Sequence, residues 1–386
     1  MQEEKTRYYW VDVVKAVGIF LVFYAHILQR TYRLSAETVF FQFKLIYAFH
    51  MPLFFFVSGF FHKPKDGSKL TQIGTLFQKR IFPVFLFGGI ALLIWPAYMF
   101  VKFGEVDYGL LLSNTLLYLQ GHPLLNATVW FLVCLFTAEI WAVLFLSKVK
   151  TVLEGILIAA FFLYFGYLFT SIKGIEEYYL LPKNFWYFHE SFIAFGFFTL
   201  GYATFPWFQK LVNVNLLIRI TLIMIFGRIL IWSVDLNIPY KGFAVIMKTS
   251  THGNFYFFIS AFSGILATIL IASLIPKIKW VEYIGKNTLI LLGTNGLFVS
   301  FFNSHIVSWL NHYENTNLVI FDSVWVSLLT IGISVPVIKI LNRWLPQWVG
   351  RPQADGPLLK AISPPEFVFL KKTVQKISQG TGNIKE

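Results

Sequence analysis

Lys15 and His26 lie 11 residues apart in one apolar run. At roughly 100° per residue that spacing is about three turns plus 20°, so both side chains share a helix face about 16 Å apart along the axis. Asp12, one turn before Lys15, is placed to pair with it. A carboxylate, an amine and an imidazole thus form one stripe in a segment where ionisable groups are costly. Such a stripe is either catalytic machinery or a structural network between helices. His50 is followed by Pro52, which loosens the helical hydrogen bonds one turn back. It is expected at a depth similar to that of His26. Two imidazoles at one depth make an acid/base pair, because imidazole titrates near neutral pH; the alternative is a hydrogen-bonded packing residue. Further polar groups in apolar runs are Glu139, Glu190, Arg228, Asn287 and Asn295. Arg228 either pairs with Glu190 or contacts an anionic, lipid-linked substrate. Ser58 and Gly59 permit close helix approach. The histidines lack metal-ligand spacing and the single cysteine, Cys134, allows no multi-Cys site, so no metal is expected. Cys134 reads as a small apolar packing residue.

The elements that must position these groups follow from composition. Of 386 residues, 56% are hydrophobic and only 13% charged, whereas soluble domains carry about 25% charged residues. Such a chain needs a bilayer as solvent. Its apolar runs are near 20 residues long, enough to cross about 30 Å of hydrocarbon as helix, and they lack the short alternation of a transmembrane barrel. The fold class is therefore all-α and polytopic, with about ten transmembrane helices at 10–28, 41–61, 81–101, 127–147, 152–171, 188–206, 214–234, 255–275, 287–309 and 318–341. The first run carries Asp12, Lys15 and His26 and precedes no small-residue cleavage site, so it reads as a retained span.

Lysine and arginine set the orientation. Of those outside the spans' interiors, 23 fall at one set of ends and 8 at the other, which predicts both termini on the cytoplasmic side. The net charge of +13 is mostly this topology signal and not a nucleic-acid footprint. Trp10, Trp95, Trp186, Trp207, Trp232, Trp280 and Trp309 fall near span ends, where interfacial belts sit. A transmembrane domain over 7–341 precedes a tail over 342–386, in which apolar residues interleave with lysines from Phe367 to Ile377. That pattern predicts a short helix lying on the inner leaflet. No internal repeat supports an inverted-repeat transporter.

Several segments, taken in order, resemble the acyltransferase 3 family. VDVVKAVGIFLVFYAH (Val11 to His26) is similar to its opening helix, with a basic residue, ten residues and a histidine. FHMPLFFFVSGFF (Phe49 to Phe61) is similar to the second-helix motif of the fucose O-acetylase-like branch. KRIFPVFLF (Lys79 to Phe87), VWFLVCLFTAEI (Val129 to Ile140, with Trp130 and Glu139) and YIGKNTLILLGTN (Tyr283 to Asn295) resemble the third helix, the Trp-Phe-Leu helix and a late helix. The late helix of many relatives ends with histidine where this chain has Asn295. The resemblance is to the stand-alone type, without a fused SGNH hydrolase-like domain.

The resemblance implies transfer of an acyl group, usually acetyl from acetyl-CoA, to a hydroxyl of a cell-surface or lipid-linked sugar at a bacterial cytoplasmic membrane. No bound cofactor is implied; acyl-CoA is the donor substrate. His26 would be the catalytic histidine, as general base or transient acyl acceptor. Lys15, with Asp12, would orient the donor or neutralise charge, and His50 would be a second acid/base or oxyanion donor. Lys79 and Arg80 would bind CoA phosphates, unless they only obey the positive-inside rule. Ser58, Trp130, Glu139, Glu190, Arg228, Asn287 and Asn295 complete the candidate substrate-binding set. A glycan exporter or flippase is the rival expectation; it too would want buried charges and aromatic surfaces, but has no need of the Lys-to-His stripe.

Overall fold

A computed structural model describes residues 7–31, 37–65, 67–171, 185–237, 255–310 and 316–365. Regular structure among the described residues is helical throughout, with no strand. In hydrocarbon a helix satisfies its own backbone, and open strands do not.

Helix α1 (Tyr9–Thr31) runs through the middle of the bundle. Val13, Val14, Phe23, Ile27 and Leu28 are fully buried, as expected for a span enclosed by other spans. The second span, expected as one helix, is two: α2 (Glu37–Tyr47) and α3 (His50–Gly59). The break falls at Ala48 and Phe49 because Pro52 has no N–H to offer the carbonyl of Ala48; helical bonding resumes with Leu53 N–H donating to Phe49 at 2.9 Å. Proline thus sets His50 at the first position of a new helix.

Helix α4 (Lys69–Phe103) spans 35 residues, starting well before the expected limit. Ser68 caps its start and Gly104, at φ 80°, ends it in the left-handed region. Its length, roughly 52 Å by helical rise, exceeds the hydrocarbon thickness. The surplus is answered by α5 (Tyr108–Leu119), a helix the sequence reading did not anticipate, capped by the Asp107 carboxylate accepting from Leu110 N–H at 2.8 Å. A short 3-10 segment, Leu124–Val129, then leads into α6 (Trp130–Phe145). The remaining helices are α7 (Val152–Ser171), α8 (Glu190–Leu211), α9 (Leu216–Asn237), α10 (Tyr256–Leu274), α11 (Lys279–Lys286), α12 (Thr288–Phe301), α13 (Asn303–Leu310) and α14 (Thr316–Trp344). The ninth expected span is bent, α12 meeting α13 at 64°. Nine helices among the described residues are long and apolar enough to cross a membrane, or ten if that bent pair is one span.

Two close approaches tie the bundle around α1. Gly59 of α3 abuts the Phe198 carbonyl and Gly201 of α8 abuts that of Phe56, so α3 and α8 cross backbone to backbone. Gly285 of α11 abuts the carbonyl of Asp12, which sets the register between α1 and the chain entering α12. Leu157, Phe161, Leu217, Met224, Leu329 and Ile333 on α7, α9 and α14 are exposed, a surface that suits lipid. Trp207, Trp232, Trp280 and Trp309 are also exposed, as interfacial residues should be. Trp95 departs from that expectation: it is buried in a small cluster with Ala91 and Phe301. After α14 the chain folds back on α4. Trp348 stacks on Phe82 at 5.1 Å, and Gln78 Nε2 donates to the Ser363 carbonyl at 3.1 Å. The amphipathic helix expected over Phe367 to Ile377 lies outside the described residues.

Candidate active site

Helices α1, α3, α4, α6 and α12 enclose a cavity of about 250 Å³. Lys15, Ser58, Phe61 and Arg80 line one end of it; Ile19, Met51, Phe54, Phe131 and Leu292 line the walls. The cavity therefore joins a cationic end to an apolar interior. Its ionic groups are held in place. Asp12 is 3% exposed and receives Arg7 Nε at 2.7 Å and Lys15 Nζ at 3.2 Å. Arg80 grips Glu139 in a two-bond fork, both N–O distances 2.7 Å, a geometry that keeps a guanidinium fixed. Thus Asp12 positions Lys15 as the spacing predicted. Glu139 serves Arg80, a partnership across 59 residues that no local spacing could announce. Ser58 Oγ donates to the Phe54 carbonyl at 2.7 Å while lining the cavity.

His26 and His50 lie close enough to interact electrostatically; neither lines the cavity, although Met51, next to His50, does. His50 is 2% exposed, and its Nδ1 lies 2.9 Å from the Ile46 carbonyl. A carbonyl only accepts, so Nδ1 carries the proton and Nε2 is the basic nitrogen. The same carbonyl accepts from Phe49 N–H at 3.2 Å, a 3-10-type bond formed at the break before α3. His26 Nδ1 faces Gln29 Oε1 at 3.4 Å, and the same oxygen accepts from Tyr47 Oη at 3.0 Å. An amide oxygen already accepting from a phenol favours an N–H on His26 Nδ1 too, which turns its Nε2 into the acceptor. The Tyr47 ring closes the circuit, edge-on to His50 at 4.9 Å. Gln29 and Tyr47 are functional candidates that sequence reasoning missed. Gln29 lies three residues after His26, one helical turn, whereas Tyr47 is separated from His50 by the break at Ala48 and Phe49, so spacing alone singles out neither.

The other candidates are dispersed. Asn295 is fully buried on α12, one turn beyond Leu292. Asn287 is a strut: its Nδ2 donates to Tyr283 at 2.8 Å and its Oδ1 accepts from Asn342 at 2.7 Å, joining α12 to α14. Trp130 packs against Tyr187 with ring centres 5.3 Å apart. That contact adjoins a strained stretch in which Trp186 and Tyr187 both have positive φ, 49° and 48°. Glu190 is buried at the start of α8. Lys79 adjoins Arg80 but does not line the cavity. Arg228 is exposed on α9 and pairs with no acidic residue among those described. Of the two readings offered for Arg228, the pair with Glu190 is not made, because α9 packs its buried side on α10 and α2. No cluster of metal-ligating side chains occurs among the described residues.

The cavity joins a cationic end to apolar walls; Met51, next to His50, lines it, while His26 and His50 themselves do not. The chain belongs to the acyltransferase 3 family: the family model described as an acyltransferase domain matches residues 8–342. No curated protein and no solved structure matches the chain. The protein is a membrane acyltransferase.

Proposed function

We propose that the protein transfers an acyl group, acetyl in the first instance, from acyl-CoA to a hydroxyl of a cell-surface or lipid-linked sugar, as in the fucose O-acetylase-like branch of the family. The observation that carries this reading is the cavity lined by Lys15 and Arg80 at one end and by Ile19 and Met51 on the helices that carry His26 and His50, neither of which lines it. Its cationic end suits the donor's phosphates, with Lys79 and the lysines from Lys63 to Lys69 as a further cationic shore. Its apolar walls suit a pantetheine arm carrying a thioester. Ile19 lines the cavity, and His26 lies about 10 Å beyond it by helical rise.

In the transfer, the sugar hydroxyl gives its proton to Nε2 of His26 as its oxygen attacks the thioester carbon. The carbon–sulfur bond breaks, and the proton passes from the imidazolium to the departing sulfur. His26 acts from a fixed orientation because Gln29 holds Nδ1. Embedding the centre keeps bulk water from competing for the thioester.

The test is thiol release from acetyl-CoA by purified protein in lipid nanodiscs, with bacterial glycolipid extract as acceptor. Acceptor-dependent release should vanish in His26→Ala, a loss of at least 10²-fold by the usual weight of a general base. Release that persists in His26→Ala would remove His26 from the chemistry. No release with any short-chain acyl-CoA would favour a glycan exporter.

A further inference from the structure

The inference concerns Asn295 and rests on the acyl-transfer reading above. Asn295 is 0% exposed, and neither Nδ2 nor Oδ1 has a hydrogen-bond partner among the described residues. An unpaired buried carboxamide is expensive, and most such groups in folded proteins are paired. A loose helix does not explain it. Asn126 Nδ2 donates to the Gly293 carbonyl at 3.0 Å, and Thr128 Oγ1 to that of Leu292 at 2.8 Å. The turn leading into Asn295 is thus clamped to the 3-10 segment, yet its own amide is left for something else.

Its direction follows from the helix. Thr288 and Leu292 line the cavity, and Asn295 falls within about 20° and 60° of them on the wheel at 100° per residue. It shares their face, one turn deeper than Leu292. Its depth follows from the register contact of Gly285 with the Asp12 carbonyl. Helices α1 and α12 run parallel, so ten residues beyond Gly285 brings Asn295 level with Val22, about 6 Å short of His26. Asn303 Nδ2 donating to the His26 carbonyl at 3.0 Å gives a register one turn different, on which Asn295 is level with Gly18, about 12 Å short of His26. On either register the carboxamide lies near the level of Ile19, at the inner end of the cavity and short of the histidine pair, buried just behind the cavity wall and not lining it.

We propose that Asn295 is the oxyanion donor of this centre: its Nδ2–H donates to the thioester carbonyl oxygen as negative charge builds there during attack. When the carbon–sulfur bond breaks, that oxygen returns to a neutral ester carbonyl and the bond weakens. The donor is fixed beforehand by the clamps on α12 and costs little reorganisation, which is the condition for such a group to matter.

The test compares wild type, Asn295→Leu, Asn295→Ala and His26→Ala in nanodiscs, with acetyl-CoA and glycolipid extract. Leucine fills the space without a donor; alanine leaves room, so that folding is not at stake in both. The expected result is a kcat lower by about 10²–10³ in both Asn295 variants, a KM for acetyl-CoA within about threefold of wild type, and an Asn295→Leu melting temperature no lower than wild type, since an unpaired amide has been removed. Wild-type kcat in either folded variant would overturn the proposal, as would a loss confined to KM. If those variants are active while His26→Ala is dead, only the oxyanion role falls; if wild type releases no thiol with any short acyl-CoA, the acyl-transfer reading falls and takes this one with it.

Discussion

Gln29 does two jobs at once, accepting from Tyr47 and facing His26. Gln29→Leu should remove the acceptor that faces His26 Nδ1 and weaken the preference for a proton there. We expect kcat to fall about 10- to 100-fold, a fraction of the weight of the base itself, with the acidic limb of the pH–rate profile displaced while KM for acyl-CoA holds. Tyr47→Phe should show a smaller loss of the same kind. Outside the spans, His62 sits edge-on to Phe198 and Tyr202 at 5.5 and 5.7 Å. Burial draws its imidazole below the ordinary value of 6.5, with Glu139 opposing more weakly. A base whose folded value is depressed supplies stability above its unfolded value and loses it as pH falls. The melting temperature should therefore decline below about pH 6.5, and His62→Phe should flatten that decline. An unchanged slope would show that other groups govern it. Asp12 with Lys15, and a histidine after Pro52, could be read from spacing. Gln29 and Tyr47 could not be ranked above other polar residues, since their value comes from contact across two helices.

At the scale of elements, the breaks matter as much as the helices. Proline 52 was readable as a weak point, but that the break would present the Ile46 carbonyl to His50 needed the folded backbone. The α3–α8 crossing depends on two glycines with carbonyls against them. Gly201→Leu should force those helices apart and cost about 1–3 kcal/mol, the usual toll of overpacking, seen as a lower melting temperature in detergent. Equal stability would mean that the crossing tolerates separation. The Arg80–Glu139 fork joins α4 to α6 across the cavity's basic end, with side chains 27% and 9% exposed. Glu139→Gln leaves a guanidinium without its counter-charge. Breaking a fully buried pair costs roughly 3–5 kcal/mol; partial exposure of Arg80 should hold the loss to the lower part of that range. Thermal melting read beside KM for acyl-CoA would check it, and an unaltered melting temperature would make the fork dispensable.

For the whole molecule, the two ends of the bundle have different tasks. On the proposed function the cavity's basic end would take the phosphate-rich donor, and the lysine and arginine asymmetry predicts that end on the cytoplasmic side. Cys134 is the single cysteine and is buried, so Cys134→Ala provides a clean background. Ser58→Cys in that background should react with a membrane-impermeant maleimide applied to inside-out vesicles and resist it in right-side-out vesicles, with acetyl-CoA slowing the reaction. Labelling from the outer side would reverse the orientation.

Composition, run length and charge asymmetry were enough for an all-helical membrane protein with nine or ten spans, because the bilayer leaves backbone and charge few choices. Motif order was enough for the family, since linear motifs need no folding to be recognised. Helix periodicity was enough to put Asp12, Lys15 and His26 on one face. Tertiary structure alone decided that Glu139 belongs to Arg80, that Arg228 stands apart from Glu190, and that Gln29 and Tyr47 sit between the two histidines. It alone left the Asn295 amide without a partner. Each of these depends on which helices become neighbours and in what register, and that choice is made by packing against carbonyls and small residues far apart in the chain, where sequence spacing carries no signal.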